Sequence, residues 1–186
     1  MILVAIAIII GNALIGEREQ GEPITPSRFV DSFLERYQQQ DPITSVFLTT
    51  STLDPSGMTF YGFQGYIAET LTYTIIGERV DEEEPRVTWV DVEIKTVDMA
   101  ELLRAIENTD EENPNVIRET LINWVNSPNA PRRTFEVPVM VLKVPTGLGL
   151  YIQMTGELSD ALFGGFNSFI FSEFDSTHMM EADRGN

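Results

Sequence analysis

The stretch Leu71–Asp98 constrains the fold more than any other part of this sequence, because it has the pattern of a long β-hairpin. Its two arms, Thr72–Val80 and Arg86–Thr96, are rich in Val, Ile, Thr, Tyr and Trp, and they flank an acidic turn at Asp81–Pro85. Such residues suit a pleated, half-buried surface. The sequence therefore predicts two long antiparallel strands joined by a solvated turn.

Within the second arm, the apolar positions change sides. Val90, Val92 and Ile94 alternate on one face, whereas Val87 and Trp89 belong to the opposite phase. One extra residue in a strand produces such a slip. The pattern therefore predicts a β-bulge between Trp89 and Val90, which would bend the sheet.

Helix starts are marked by capping residues, each followed by apolar residues at helical spacing. They occur at Thr25-Pro26, at Asp98 and at Asn113-Pro114. A short irregular helix is predicted over Phe60–Thr70, and another over Glu157–Phe163. Two further strands are predicted near residues 135–141 and 148–154, the first lying at a sheet edge near Pro138 because proline cannot donate to a ladder.

Helices that precede and interrupt an antiparallel sheet predict an α+β fold. We expect a curved antiparallel sheet of about four strands, wrapped on the first helix. Four regions follow from this pattern: residues 1–16 form an apolar anchor, signal-like or assembly segment, 17–25 a linker, 26–166 the α+β domain, and 167–186 an aromatic and then polar tail.

The charge and the missing cysteines exclude several classes of function. The chain has 186 residues and a formal net charge of −17, so its surface repels phosphates, and we expect no nucleic-acid partner. No cysteine occurs, which excludes disulfides, thiolate zinc sites and a cysteine nucleophile. The single histidine, His178, lies in the polar tail without a plausible catalytic partner. We expect no cofactor and no metal.

The segment Met1–Gly16, here called the N-terminal segment, is almost wholly apolar and carries no charged side chain. As a helix its sixteen residues would span ~24 Å, short of the ~30 Å hydrocarbon core. It could be a signal peptide or anchor, a transmembrane anchor completed by upstream residues, a core element of the same domain, or a strand that pairs with a neighbouring subunit's sheet edge. The candidate assembly or anchor residues are Ile2, Leu3, Val4, Ile6, Ile8, Ile9, Ile10, Leu14 and Ile15.

Aromatic residues supply two further candidate sites. Four of them could line a pocket between the sheet and the first helix, namely Tyr37, Tyr73, Trp89 and Tyr151. Aromatic packing in the core is the alternative explanation for these residues. Three phenylalanines near the C terminus could form an interaction surface, namely Phe169, Phe171 and Phe174. Packing of these side chains on the same domain is the alternative.

Charged residues supply candidate sites whose simpler explanation is structural. Asp98 could be a pocket acid, but a helix N-cap explains it without chemistry. Asp81–Glu84 and Asp110–Glu112 could collect calcium, but neither has the spacing of a calcium-binding loop. Arg132-Arg133 could bind an anion, but the pair is more simply the start of a strand.

Several motifs together resemble a group of extracytoplasmic bacterial domains. They are Thr96 with Asp98-Met99 before a helix pair, then Leu158-Ser159-Asp160-Ala161-Leu162, then Gly164-Gly165. The group has the cystatin-like, nuclear transport factor 2-like cone fold, and the resemblance covers about residues 26–166. It implies a curved sheet around the first helix and an extracytoplasmic setting. The lipobox cysteine of many such proteins is missing here, so lipid anchoring does not carry over, and the aromatic tail runs beyond the usual end.

No catalytic signature occurs, so we expect a non-enzymatic structural or binding protein, extracytoplasmic or at the cell surface. Its partner would be a second copy or a component of the membrane or cell envelope. The sharper hypothesis is a filament subunit assembled through the N-terminal segment. The alternatives are a small-molecule-binding or isomerase-like protein that uses the cone pocket, and an accessory subunit of a membrane complex.

Overall fold

The computed structural model describes residues 24–40, 48–49, 61–107, 113–143 and 149–169. In chain order the described elements are α1 (Pro26–Gln38), β1 (Leu48–Thr49), α2 (Tyr61–Thr70), β2 (Thr72–Val80), β3 (Val87–Val97), α3 (Met99–Glu107), α4 (Pro114–Val125), β4 (Arg132–Lys143), β5 (Leu150–Gln153) and α5 (Gly156–Leu162). Residues 166–169 are again helical.

The strands form one sheet in the order β1-β5-β4-β3-β2. β2, β3, β4 and β5 are antiparallel to their neighbours, and the two-residue β1 adds to β5 in parallel. The predicted α+β class and the four-stranded antiparallel sheet are therefore confirmed. β5 pairs with β4 only from Met140 onward, so Pro138 lies where β4 has a single strand neighbour in the described part of the chain, as its missing N–H requires.

The predicted bulge at Trp89-Val90 is wrong. β3 pairs with β4 without a shift from Val87 to Val97. The register slips instead in β2, between Ile75 and Gly77. The change of apolar phase in β3 has another cause: both faces of the strand carry apolar residues near the hairpin turn, because Val87 and Trp89 lie on the face opposite Val90.

The main core lies between α1 and one face of the sheet. The buried side of α1 packs against alternate residues of β3 and β4 and against Ile152 of β5. The α1 residues are Phe29, Val30, Phe33, Leu34 and Tyr37, and the sheet residues are Val90, Val92, Ile94, Val137, Val139 and Val141. Full burial of each such side chain contributes about 1.5–3 kcal/mol, so this contact supplies much of the folding free energy.

The helix starts predicted from capping residues are confirmed for α1 and α4. The Thr25 side chain accepts a hydrogen bond from the Arg28 N–H, and Asn113 does the same for Asn115. A second core cluster then joins α2, α3 and α4 at the end of β3. Its buried members are Ile67, Val97, Met99, Leu102 and Val125.

The double glycine after α5 lies where the main core and the second core cluster meet. Gly164 has φ of +65°, and a Cβ added there would lie 2.1 Å from the Val97 carbonyl oxygen. The Gly164 carbonyl in turn accepts a 2.9 Å hydrogen bond from the Met99 N–H at the start of α3. Only glycine fits this combination of left-handed backbone and close approach.

We therefore expect Gly164→Ala to lower the free energy of unfolding by about 2 kcal/mol or more, since the left-handed region alone costs an L-residue roughly 1–2 kcal/mol. Urea denaturation monitored by circular dichroism measures this. Gly156→Ala is the matched control, because nothing lies within 4 Å of a Cβ at Gly156. Equal losses in both variants would contradict the role of Gly164.

Candidate functional site

The four aromatic residues predicted to line one pocket lie on two faces of the sheet. Tyr73 is opposite Ile94, a core residue, and Tyr37 projects from α1 onto the same face. Trp89 is opposite Met140, and Tyr151 is opposite Leu142. Neighbouring residues of a strand point to opposite faces, so Trp89 and Tyr151 lie on the face away from α1. A single pocket lined by all four is therefore not possible in this register.

On the α1 face, both tyrosine hydroxyls bond to the domain itself. Tyr37 is only 9% exposed and donates to the Leu162 carbonyl oxygen at 3.3 Å. The half-buried Tyr73 donates to Asp31 Oδ1 at 2.8 Å. Each hydroxyl thereby connects α1 with a neighbouring element, which is a structural use of both side chains.

The surroundings of Tyr73 favour its neutral form. Burial is the largest cause, followed by the hydrogen bond to Asp31 and the negative charges of Asp31 and Glu35, and together they raise the pKa of Tyr73. A group whose pKa is raised on folding stabilises the native state below its unfolded pKa, which is ~10 for tyrosine. That contribution is lost as the pH rises through the folded pKa.

We therefore expect a late tyrosine ionisation, that of Tyr73, in an ultraviolet pH titration of the native protein. In Tyr73→Phe this late step should be missing. Tyr151→Phe is the control, and the late step should remain in that variant. A late step that persists in Tyr73→Phe would contradict this assignment.

The acidic hairpin turn is organised around Asp81. One carboxylate oxygen accepts hydrogen bonds from the Glu83 and Glu84 N–H groups, both at 3.0 Å. The other oxygen accepts a 2.9 Å hydrogen bond from the indole of Trp89. Asp81 therefore closes the turn and holds Trp89, and its oxygens are engaged by the protein itself.

Of the two candidate calcium clusters, only Asp81–Glu84 lies within the described residues. Glu84 forms a 2.8 Å ion pair with Arg86 beside the turn. Across the described ranges, no group of three or more His, Cys, Asp or Glu side chains is arranged to hold a metal ion. The second candidate cluster, Asp110–Glu112, lies outside the described residues.

The hydrogen bond from Trp89, together with those from the turn N–H groups, lowers the pKa of Asp81. A carboxylate with a lowered pKa stabilises the fold above its unfolded pKa, and this stabilisation is lost as the pH falls through the folded pKa. Asp81→Ala should therefore lower the melting temperature at pH 7, and the difference from wild type should shrink below about pH 4.

Glu83→Ala is the matched control for this experiment, because it removes a carboxylate from the same turn and leaves the Asp81 contacts in place. Thermal unfolding followed by tryptophan fluorescence at several pH values measures both variants. A pH-independent difference for Asp81→Ala would show that its charge does not act on stability.

Asp98 and the paired arginines also have structural partners. The Asp98 carboxylate accepts a 3.0 Å hydrogen bond from the Glu101 N–H. Asp98 therefore caps α3, which is the structural alternative given for it above. Arg132 donates to the Thr70 carbonyl oxygen at 2.7 Å, and the Arg133 guanidinium lies 4.9 Å from the centre of the Phe135 ring. These contacts account for all three charges without a ligand.

Phe169, one of the three residues of the predicted interaction surface, is buried. It is 5% exposed, and the Arg104 guanidinium lies 5.4 Å from the centre of its ring. The Ser168 N–H and hydroxyl both donate to the Asp160 carboxylate. Residues 168 and 169 therefore pack on the described domain, and Phe169 is buried in it. Phe171 and Phe174 lie outside the described residues.

The outer strand β2 carries features that the sequence pattern did not reveal. Its Glu78 carboxylate accepts hydrogen bonds from the Ser27 N–H at 3.0 Å and from the Ser27 hydroxyl at 2.5 Å, at the first turn of α1. Ile76 is 58% exposed and Val80 is 59% exposed, which is unusual for large apolar side chains in this domain. The contact joins residues 51 positions apart, so no local pattern could have indicated it.

The apolar residues predicted for assembly or anchoring, from Ile2 to Ile15, lie outside the described residues. Of the helices that are described, none has the length and hydrophobicity needed to cross a bilayer.

Comparison with known proteins finds no relative. No family model matches the sequence, no curated protein is similar to it, and no solved structure matches the fold.

Proposed function

We propose that this chain is a non-enzymatic structural or binding protein that associates with further copies of itself through the N-terminal segment. A filament is the extended form of such an assembly. The observation that carries this proposal is the pairing of two features: an uninterrupted apolar run at residues 1–10, and an outer strand, β2, whose apolar side chains Ile76 and Val80 are exposed.

The contacts made by the candidate pocket residues and by the candidate acidic residues support a non-enzymatic protein. Asp98 caps a helix, Asp81 closes the hairpin turn, and the hydroxyls of Tyr37 and Tyr73 bond to α5 and α1. General acid–base catalysis needs a titratable group directed at a substrate. These side chains are directed instead at the backbone or side chains of their own domain.

We further propose that the domain is a cystatin-like, nuclear transport factor 2-like cone and that it works outside the cytoplasm or at the cell surface. Packing of α1 on a four-stranded antiparallel sheet supports the cone fold. The motif resemblance and the strongly acidic composition support this location.

The energetics of association support the same proposal. A net charge of −17 makes separate copies repel each other. Burial of about eight Ile, Leu and Val side chains would contribute on the order of 10–20 kcal/mol before ordering costs. That contribution is large enough to outweigh the repulsion, more easily in high salt, where surface charges are screened.

Charged substitutions in the full-length chain test this proposal. We expect wild-type protein to form assemblies in analytical ultracentrifugation, and Ile6→Asp with Ile10→Asp to sediment as a monomer, because two carboxylates cannot be buried without partners. A variant lacking residues 1–20 should behave in the same way.

Asp substitution at Val116, an exposed apolar residue of α4, is the control and should leave assembly intact. Assemblies that survive both changes in the N-terminal segment would overturn the proposal. Extraction that requires detergent would favour an accessory subunit of a membrane complex instead.

A further inference from the structure

We propose that the outer edge of β2 is the acceptor for residues 2–10 of a second copy, which add to the sheet as a further strand. This inference rests on the proposed function, because it names the surface that would receive the N-terminal segment. Strand addition to an exposed edge obtains affinity from backbone hydrogen bonds and specificity from alternate side chains.

The position of β2 makes its edge available. The strand is the last in the order β1-β5-β4-β3-β2, and in the described part of the chain only β3 pairs with it. An edge strand presents a row of unpaired N–H and C=O groups, which proteins usually protect with lysine, proline or an inward-pointing charge. β2 contains neither lysine nor proline over its nine residues.

The two charged residues of β2 both have partners within their own domain. Glu78 binds Ser27 on α1, and Arg79 pairs with Asp91 of β3. The exposed apolar residues Ile76 and Val80 lie on either side of them. An approaching strand would therefore meet apolar side chains, both charges already paired, and backbone groups that no other described strand bonds.

The bulge in β2 determines which part of the edge is expected to pair. Bulges discourage edge pairing where they occur, and this one lies between Ile75 and Gly77. Residues 77–80 follow the bulge in regular register with β3. We therefore place the added strand along the end of β2 that contains Val80.

The main core is also incompletely covered at this edge. Tyr73 and Ile75 of β2 pack against the core but remain half-exposed. An added strand at the Val80 end of β2, with large apolar side chains on the α1 face, would continue the core beyond these two residues.

The N-terminal segment has the pattern of such a strand. At every second position it carries a large β-branched residue, namely Ile2, Val4, Ile6, Ile8 and Ile10. The positions between them include the small residues Ala5 and Ala7. In an extended chain one face is therefore bulky throughout, whereas the other is small only at its centre, between Leu3 and Ile9. A strand whose bulky side enters a core is expected to have such a face.

The chain also leaves the described domain next to this edge. The 23 residues before Ile24 join α1 close to Ser27, which contacts Glu78 of β2. Donor and acceptor therefore lie side by side, so two copies whose β2 edges approach each other bring both segments within reach.

Cross-linking between copies tests the acceptor, and the natural lack of cysteine makes it free of background. Full-length chains with a single substitution, Ala5→Cys or Ala7→Cys, are co-expressed with differently tagged chains carrying Ile76→Cys or Val80→Cys. A short bismaleimide should join the two chains. Val116→Cys is the matched control, because it is an exposed apolar position away from the edge, and it should give little product.

A second variant tests whether the β2 edge is the receiving surface, separately from whether the N-terminal segment drives assembly. Ile76→Lys with Val80→Lys should weaken assembly by about tenfold or more in dissociation constant, because lysines at an edge oppose strand addition. Val116→Lys should not. Both edge residues are largely exposed, so the variant should fold, as circular dichroism would verify.

Three results would contradict the assignment of the β2 edge as the acceptor. They are equal cross-linking at Val116, undiminished assembly of the lysine variant, and cross-linking of a double variant, Ala7→Cys with Val80→Cys, only within its own chain. If Ile6→Asp with Ile10→Asp still abolishes assembly in those cases, the proposed function stands and the receiving surface lies elsewhere. If it does not, the proposed function itself fails.

Discussion

The contact between α1 and the sheet supports the rest of this structure. Phe33 and Leu34 are fully buried against the central strands β3 and β4. Because β3 and β4 pair over eleven residues without a shift, they offer an even surface for the helix. The outer strands, the capping acids and the hairpin turn are arranged around this contact, and each can vary without removing the main source of burial.

The bulge in β2 connects the core to the surface. Register slips between Ile75 and Gly77, so Glu78 lies opposite Val90 and points to the face on which α1 lies. Without the extra residue, Glu78 would point to the other face, because side chains alternate along a strand. The bulge thus brings a carboxylate to the first turn of α1, where N–H groups and the helix dipole favour negative charge.

Many of the conspicuous polar residues stabilise local structure. Asp98, Asn113 and Thr25 cap helices. Asp81 joins three donors across the hairpin turn. In a chain so rich in acids, individual carboxylates are poor indicators of chemistry, and the apolar surface is the more informative feature. The exposed side chains of β2 and the apolar N-terminal segment are the features that core packing of the described domain leaves unexplained.

Local patterns in the sequence determined the element types, the helix caps, the long hairpin and the α+β class, because periodicity and capping act over a few residues. They also indicated Gly164-Gly165 as the end of α5. Only the tertiary structure decided the position of the bulge, the burial of Phe169, the separation of Tyr37 and Tyr73 from Trp89 and Tyr151, and the contact between Glu78 and Ser27. Each of these depends on register or on residues distant in sequence, where one step along a strand turns a side chain to the other face.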